Sequence, residues 1–367
     1  MNICLKNIIN NPFSTAIISW YKQNKRQLPW RESQNPYHIW LSEIILQQTR
    51  VAQGLPYYYR FVKKYATVND LAGASEDEIL RLWQGLGYYT RARNLHKCAR
   101  IVVSEFYGEF PSTMKALQTL PGIGRYTAAA IASQAFNKAV PVVDGNVYRV
   151  LARYFGIEQD INNSKAYGYF HDLSLSLMDK TVPGDYNQAV MEFGALCCKP
   201  HNPECTSCVL QSGCVAFSKS AQNKLPVKKP RQKSRKRYFH YYIIIHEGKI
   251  LLRQRNEKDI WQGLYEFPLV EQVKLAGVEV KDQPILAKMS KYNAEFTNHD
   301  KIIRHVLTHQ VLYVNFAVIN LEKNIKLKEA LIAEGYNWYD QRAVEELPKP
   351  VLLANFLDTY MNSINLQ

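Results

Sequence analysis

The chain has 367 residues, 47% hydrophobic and 21% charged, which excludes a disordered protein and suits two folded domains, since single domains usually run about 100–200 residues. Lys and Arg outnumber Asp and Glu by 46 to 32, giving a net charge of +14 that calls for a polyanion: nucleic acid first, an anionic membrane surface second. The first residues lack the apolar stretch of a signal peptide and no later run is long enough to span a bilayer, so a soluble intracellular protein is expected.

Residues 12–22 read as a short amphipathic helix, and Leu28-Pro29-Trp30-Arg31 as a turn presenting an exposed aromatic ring and a cation. From His38 to Arg50 apolar residues recur at helical spacing, with Glu43, Gln47 and Arg50 on one polar stripe. Glu43 is either a solvated helix carboxylate or, between Leu41, Ile44 and Ile45, an acid in a poorly hydrated pocket that raises its pKa. Gly85-Leu86-Gly87-Tyr88-Tyr89-Thr90-Arg91-Ala92-Arg93 joins a flexible turn to rings and cations. That combination suits entry into a base stack while phosphates are held, or else a loop whose tyrosines are core.

The chain is organised around Leu120-Pro121-Gly122-Ile123-Gly124-Arg125-Tyr126-Thr127, a turn between two helices, the second opening on small residues. Gly122 and Gly124 are expected to give this hairpin φ > 0 and to bring bare N–H groups at a helix N-terminus close to an outside anion. An extended apolar run, Ala139 to Val143, then enters Asp144-Gly145-Asn146 and a helix through Arg153. Asp144 reads as an N-cap whose ionised form the helix dipole favours. The two carboxylates are thus expected to be pushed apart, Glu43 towards the acid and Asp144 towards the anion, as in acid/base pairs.

Of seven cysteines, four follow the spacing Cys198-x6-Cys205-x2-Cys208-x5-Cys214, which suits metal ligation in a reducing compartment better than a disulfide framework. Tetrahedral zinc and an iron–sulfur cluster both satisfy this donor set. One Cys-x2-Cys pair between two wider gaps favours the cluster, because zinc ribbons usually show two matched pairs. Cys197 adjoins the first ligand. Lys224 to Arg237 is a Pro-broken basic stretch, read as an interdomain linker with an electrostatic hold on a polyanion through Lys228, Lys229, Arg231, Lys233, Arg235, Lys236 and Arg237. Beyond it lies an α+β half. Tyr241 to Ile245 and Lys249 to Leu252 form a hairpin through Glu247-Gly248, Val311 to Val318 a strand, and residues from about 349 to 361 a last helix.

These motifs together closely resemble the MutY adenine DNA glycosylases of the helix-hairpin-helix superfamily. The resemblance covers nearly the whole chain and rests on Leu41 to Thr49, Gly85 to Tyr89, Leu120 to Thr127, Val143 to Val147, the four cysteines, and Trp261-Gln262-Gly263-Leu264-Tyr265-Glu266-Phe267-Pro268 of a Nudix-like domain. It implies an all-α glycosylase region over 1–216, a basic linker over 217–237 and an α+β Nudix-like domain over 238–367. Within the first region a six-helix barrel carries the hairpin, and the N-terminal helix joins residues after about 137 around a 4Fe-4S cluster held by the 198–214 loop.

The implied activity is hydrolytic excision of adenine opposite 8-oxoguanine or guanine from double-stranded DNA, with little or no lyase activity, by a monomer of the bacterial cytoplasm that could meet repair or replication-clamp partners. In that reading Glu43 protonates adenine N7, Asp144 stabilises or captures the sugar cation, and Tyr126 hydrogen-bonds near the sugar. Trp30, Arg31 and Gln188 line the adenine pocket, Gln48 and Tyr88 fill the emptied stack, and Gly122, Gly124 and Asn146 belong to the DNA-binding set. Leu307-Thr308-His309 stands where the family has Phe-Ser-His against 8-oxoguanine, and Cys198, Cys205, Cys208 and Cys214 hold the cluster.

The nearest rival is an endonuclease III-like enzyme for oxidised pyrimidines, which carries a lysine at the Tyr126 position to form a Schiff base and cut the strand. A nucleotide pyrophosphatase is not expected, because residues 263–300 lack the glutamate-dense Arg-Glu-x-x-Glu-Glu helix that holds magnesium. A non-catalytic, redox-sensing DNA-binding protein would account for the charge, hairpin and cysteines while leaving Glu43 and Asp144 without a purpose.

Overall fold

Asn11 and Asn35 each accept a hydrogen bond from the backbone two residues on, and each is followed by a proline whose missing N–H a helix start does not need. They open α1 (Pro12–Asn24) and α2 (Pro36–Leu46) in a computed structural model that describes residues 11–229, 235–272, 295–307, 309–321 and 335–364. Further helices follow: α3 (Val51–Lys64), α4 (Val68–Gly73), α5 (Glu76–Trp83), α6 (Thr90–Phe106), α7 (Met114–Leu117), α8 (Arg125–Phe136), α9 (Gly145–Phe155), α10 (Ala166–Leu177), α11 (Pro183–Leu196) and α12 (Val215–Ser218). The helix expected from His38 to Arg50 is shorter than its periodicity suggested. It stops at Leu46, Gln48 takes φ 56°, and α3 starts afresh, so Gln47 and Arg50 do not share a helix face with Glu43.

The chain divides into two compact units, Met1–Gly73 with Asn94–Pro230 and Ala74–Arg93 with Arg231–Gln367. In the first, α1 buries Phe13, Ile17 and Tyr21 among Val147, Val150 and Leu151 of α9 and Tyr186, Val190 and Phe193 of α11, the joining of the N-terminal helix to later residues that the resemblance implies. Each such side chain contributes about 1.5–3 kcal/mol on leaving water. Asn187 of α11, 1% exposed, accepts from Val142 N and donates to Val140 O and Ser133 Oγ, which fixes the extended run leading into Asp144.

The second unit is built on a mixed sheet. β1 (Arg235–His246) turns through Glu247 and Gly248, both with positive φ, into β2 (Lys249–Gln254), the expected hairpin. β3 (Tyr265–Glu266), β4 (Leu269–Gln272), β5 (Glu295–Val306), β6 (Gln310–Asn320) and β7 (Asn337–Tyr339) follow, then α13 (Gln341–Glu346) and α14 (Val351–Ile364). The strand order is β3-β2-β1-β6-β5, with β4 on β1 and β7 on β2; the long β1–β6 pair is parallel and the others antiparallel. Alternate β1 residues serve opposite faces, Phe239, Tyr241 and Ile243 packing with Leu352, Leu353 and Leu357 of α14, and Tyr242 and Ile244 with Leu251 and Tyr336. Residues 74–93 belong here through bonds such as Gln254 Nε2 to Asp77 Oδ1 (3.2 Å) and Arg93 to Gln262.

The basic stretch was expected to be an interdomain linker with an electrostatic hold on a polyanion, and of its cations Arg231 and Lys233 lie outside the described residues. Leu225, Val227 and Lys229 carbonyls accept from Arg153, Ile161 N and Asn162, tying it to the first unit. Arg237 lies within β1, 6% exposed, and is bonded to Asp259 and Glu271 at 2.6–2.9 Å, so it is not available to a phosphate. Among the described residues no helix is long and apolar enough to cross a membrane.

Candidate active site

Eight of the eleven residues of α2 are buried, Glu43 among them at 8% exposure. Loss of hydration pushes its carboxyl up to about 7; the negative charge of Asp144 adds to this, while Tyr126, Gln134 and Arg31 pull back. Tyr126, in the first turn of α8, is held far above the ordinary phenol range by burial and by both carboxylates, so its hydroxyl keeps its proton. That hydroxyl lies 3.5 Å from Met191 Sδ.

Asp144 is the N-cap of α9. Its Oδ1 accepts from Asn146 N (2.9 Å) and Val147 N (2.8 Å), and its Oδ2 from Asn146 Nδ2 (2.8 Å). The expectation that its pKa is pushed down fails: burial raises it, against the Val147 and Asn146 donors and Arg149. Both carboxyls therefore move upward, and they differ in that three donors and the end of a helix support the anion at Asp144. Asn146 orients this carboxylate rather than facing outward, since its own Oδ1 accepts from Arg149 Nη2 at 2.7 Å.

Trp30 was expected to be exposed and is 5% exposed, edge-on to Tyr58 at 5.1 Å. It shares with Arg31, Gln134 and Gln188 the wall of one cleft. Arg31 donates to Gln188 Oε1 (3.1 Å) and, in a two-pronged pair, to both oxygens of Glu192 (2.9 and 2.8 Å). Arg26 meets the same carboxylate at 2.8 and 2.6 Å. Burial alone would raise the Glu192 pKa, but the two arginines bring it down to about 2. Glu192 and Arg26 were missed in the sequence because the pair spans 166 residues, and no local pattern marks it.

At the hairpin only Gly122 has φ > 0 (78°), contrary to the expectation for both glycines. A Cβ on it would meet Asn94 Cβ at 3.0 Å. Gly124 is extended (φ −84°, ψ −176°) and caps α8 without a side-chain bond, in open space on the side where a Cβ would stand, so an outside group can reach the helix start. Gln48 (φ 56°) and Tyr88 (φ 49°, 41% exposed) hold left-handed conformations that cost non-glycine residues about 1–3 kcal/mol. Leu307 lies half-buried against the sheet core and closes the β5–β6 turn, Leu307 N to Gln310 O 2.9 Å. His309 is exposed, and Thr308 lies outside the described residues.

Cys198, Cys205, Cys208 and Cys214 line one largely apolar cavity together with Cys197. None of the described cysteines is disulfide-bonded. Two arginines one helical turn apart on α9 grip this loop: Arg149 through Cys198 O (2.7 Å), while it also bonds Gly194 O of α11 (2.7 Å), and Arg153 through Lys199 O (2.7 Å), Pro200 O (3.1 Å) and Cys198 Sγ (3.4 Å). A thiol-only donor set on an apolar wall fits a thiophilic group, an iron–sulfur cluster or zinc. Among the described residues no three His, Cys, Asp or Glu side chains converge on a single ion's position, so the fit rests on the donor set and the shared cavity.

The HhH-GPD superfamily of base excision DNA repair proteins matches residues 41–172, and the NUDIX domain matches residues 240–359. An adenine DNA glycosylase of Buchnera aphidicola subsp. Schizaphis graminum is 34% identical over 346 residues, 92% of this chain and 96% of that protein. The chain belongs to the MutY family of adenine DNA glycosylases. Another relative of that name, from Rattus norvegicus, is 39% identical over 310 residues, 70% of this chain and 60% of its own. A thermostable thymine-DNA glycosylase structure superposes with a TM-score of 0.53 at 31% identity, over 57% of this chain and 96% of its own. A non-covalent endonuclease III–DNA complex does so at 0.50 and 23%, over 57% and 95%, which speaks for the fold alone. This MutY-family protein is thus a DNA-binding glycosylase of base-excision repair, with a helical helix-hairpin-helix region followed by a Nudix-like domain.

Proposed function

We propose that this glycosylase removes adenine paired with 8-oxoguanine in duplex DNA, by hydrolysis and without cutting the strand. The observation that carries the reading is the pair of buried carboxyls of unlike support, Glu43 pushed up to about 7 and Asp144 held by three donors at the start of α9. A flipped adenine enters the cleft walled by Trp30, Arg31 and Gln188, at an unstacking cost of a few kcal/mol. Glu43 gives its proton to N7, the C1′–N9 bond breaks and adenine leaves neutral. The positive charge left on the sugar is met by Asp144, either as an ion pair or as a covalent ester. Water then adds to C1′ and surrenders a proton to Glu43, as at a retaining glycosidase. Tyr126 donates its hydroxyl within this group and supplies no amine, so no Schiff base forms at the hairpin.

For lesion reading, the β5–β6 turn carries His309 outward, while Leu307 packs inward. Gln48 and Tyr88, exposed and left-handed, are assigned to the vacated stack, and the start of α8 to a phosphate. Cys198, Cys205, Cys208 and Cys214 are proposed to hold a 4Fe-4S cluster, which when bound closes the loop through iron–thiolate bonds.

A single-turnover assay on a duplex with one adenine opposite 8-oxoguanine, worked up with and without hot alkali, tests the proposal. Breaks that need alkali are expected. Breaks without alkali would refute the hydrolytic reading, and no breaks from cluster-loaded protein would refute adenine excision.

A further inference from the structure

Tyr88 sits in a loop that is braced from within. Arg91 Nη2 donates to Leu86 O and Gly87 O (both 3.2 Å), and Trp83 Nε1 donates to Gly87 O (3.1 Å). The Arg91 guanidinium lies 5.1 Å from the ring centre of the buried Trp83 and 5.6 Å from that of Tyr88. α5, this loop and the first turn of α6 therefore hold together as one piece. That piece belongs to the same compact unit as the sheet, since residues 74–93 group with residues 231–367. Gln254, at the end of β2, donates to Asp77 Oδ1 in the first turn of α5 (3.2 Å). Gly263 packs so closely on α5 that a Cβ there would meet Leu80 Cδ1 at 3.2 Å and Glu76 Oε1 at 3.4 Å. Arg93, in the first turn of α6, donates to Gln262 O, to Gln262 Oε1 (3.3 Å) and to Thr90 Oγ1 (3.2 Å). Beside Gln262, the Trp261 ring meets that of His305 (centroids 6.1 Å apart), two residues before Leu307.

We propose that Arg93 and Gln262 are positioning residues for the Tyr88 ring, fastening it to the β5–β6 turn so that the ring entering the stack and the turn meeting the lesion are placed as one body. The inference deepens the functional reading above and rests on its assignments of Tyr88 and of that turn. Coupling between two sites runs through packed side chains and hydrogen bonds, and here the run is short: His305, Trp261, Gln262, Arg93 and the loop of Tyr88. A planar guanidinium that bonds both a backbone and a side-chain oxygen of one residue fixes direction as well as distance. Tyr88 is left-handed, a conformation that persists only where its surroundings over-determine it, and Arg91 and Arg93 hold those surroundings. The adenine pocket is built separately, Trp30, Arg31, Glu43, Asp144 and Gln188 all belonging to the other unit. Loosening the link therefore removes the advantage that the lesion confers and leaves the chemistry of base release in place.

The test uses the full chain with its cluster and two duplexes, carrying adenine opposite 8-oxoguanine or opposite guanine. Base release is followed in single turnover for the wild type, Arg93→Met, Tyr88→Leu and the double variant. The wild type should favour the lesion duplex. Arg93→Met, which keeps an apolar stem and removes the donors, should cut that preference about tenfold while the rate on the guanine duplex stays within about twofold, and it should add little to the loss from Tyr88→Leu. Gln262→Met removes one of the two acceptors without touching α6 and carries the same prediction at about threefold, which keeps the test open if Arg93→Met does not fold. An unchanged preference in the folded variants overturns the role, as do equal losses on both duplexes, the mark of a phosphate contact or of general loosening. Losses that add fully to that of Tyr88→Leu overturn it too. A wild type without preference, or wild-type rates in Tyr88→Leu, would overturn the underlying reading of lesion and stack instead, so the two failures are distinguishable.

Discussion

Replacing Asp144 by asparagine separates the catalytic charge from the helix cap. Asparagine caps a helix about as well as aspartate, and the new side-chain oxygen can still accept from Asn146 N and Val147 N. What is lost on folding is small and local. The new amide nitrogen would face Asn146 Nδ2, donor against donor, and turning Asn146 over would spoil its bond to Arg149. One such conflict costs about 1 kcal/mol, a fall in melting temperature of about 2–4 °C for a region of this size. What is lost in catalysis is larger, because the only full negative charge assigned to the sugar cation is gone. Removing one preorganised electrostatic partner typically costs a factor of about 10²–10³, and loss of a covalent route adds to it. Asp144→Asn should therefore bind the mispaired duplex nearly as the wild type does, melt within a few degrees of it, and release adenine at least a hundredfold more slowly in single turnover. Release within tenfold of wild type, with the fold intact, would refute the role given to Asp144.

The Glu43 proton should set the alkaline limb of the rate profile: base release is expected to fall about tenfold per pH unit above about 7, and a flat profile between 7 and 9 would contradict it. Because this carboxyl holds its proton longer folded than unfolded, stability falls as pH rises from about 4.5 to about 7, and Glu43→Gln should abolish release while raising the melting temperature at pH 8. Glu192 has the opposite sign. Its shift from 4.5 to about 2 corresponds to about 3 kcal/mol, present above the unfolded value and lost as pH falls through about 2. Glu192→Leu, which strands Arg31, should lower the melting temperature by roughly 10 °C, and a drop under 3 °C would show the pair to be dispensable. Iron and acid-labile sulfide with a brown chromophore are expected in purified protein, and stoichiometric zinc in their place would refute the cluster.

Features of the fold and site that depend on local chemistry were legible in the sequence. The Glu247-Gly248 turn, the Asp144 N-cap and the cysteine spacing are all decided within a few residues. Glu43 was half-legible: its apolar flanks showed that it could be buried, and burial then set the direction of its pKa. Asp144 shows why that logic fails elsewhere, since the helix dipole is visible in sequence whereas the packing that outweighs it is contributed by distant segments. The same holds for Trp30, whose cover is Tyr58 of another helix, and for the Arg26–Glu192–Arg31 group.

α9 joins three things that are usually varied independently, a catalytic carboxylate at its cap and two arginines that hold the cysteine loop one and two turns further on. An α-helix advances about 100° per residue, so one inserted or deleted residue between Asp144 and Arg149 would swing both guanidinium groups to another side of the helix. Substitutions along its exposed positions leave that alignment untouched. The segment is therefore open to change in composition but closed to change in length, and descendants of this chain can lengthen loops elsewhere far more readily than they can add a single residue here.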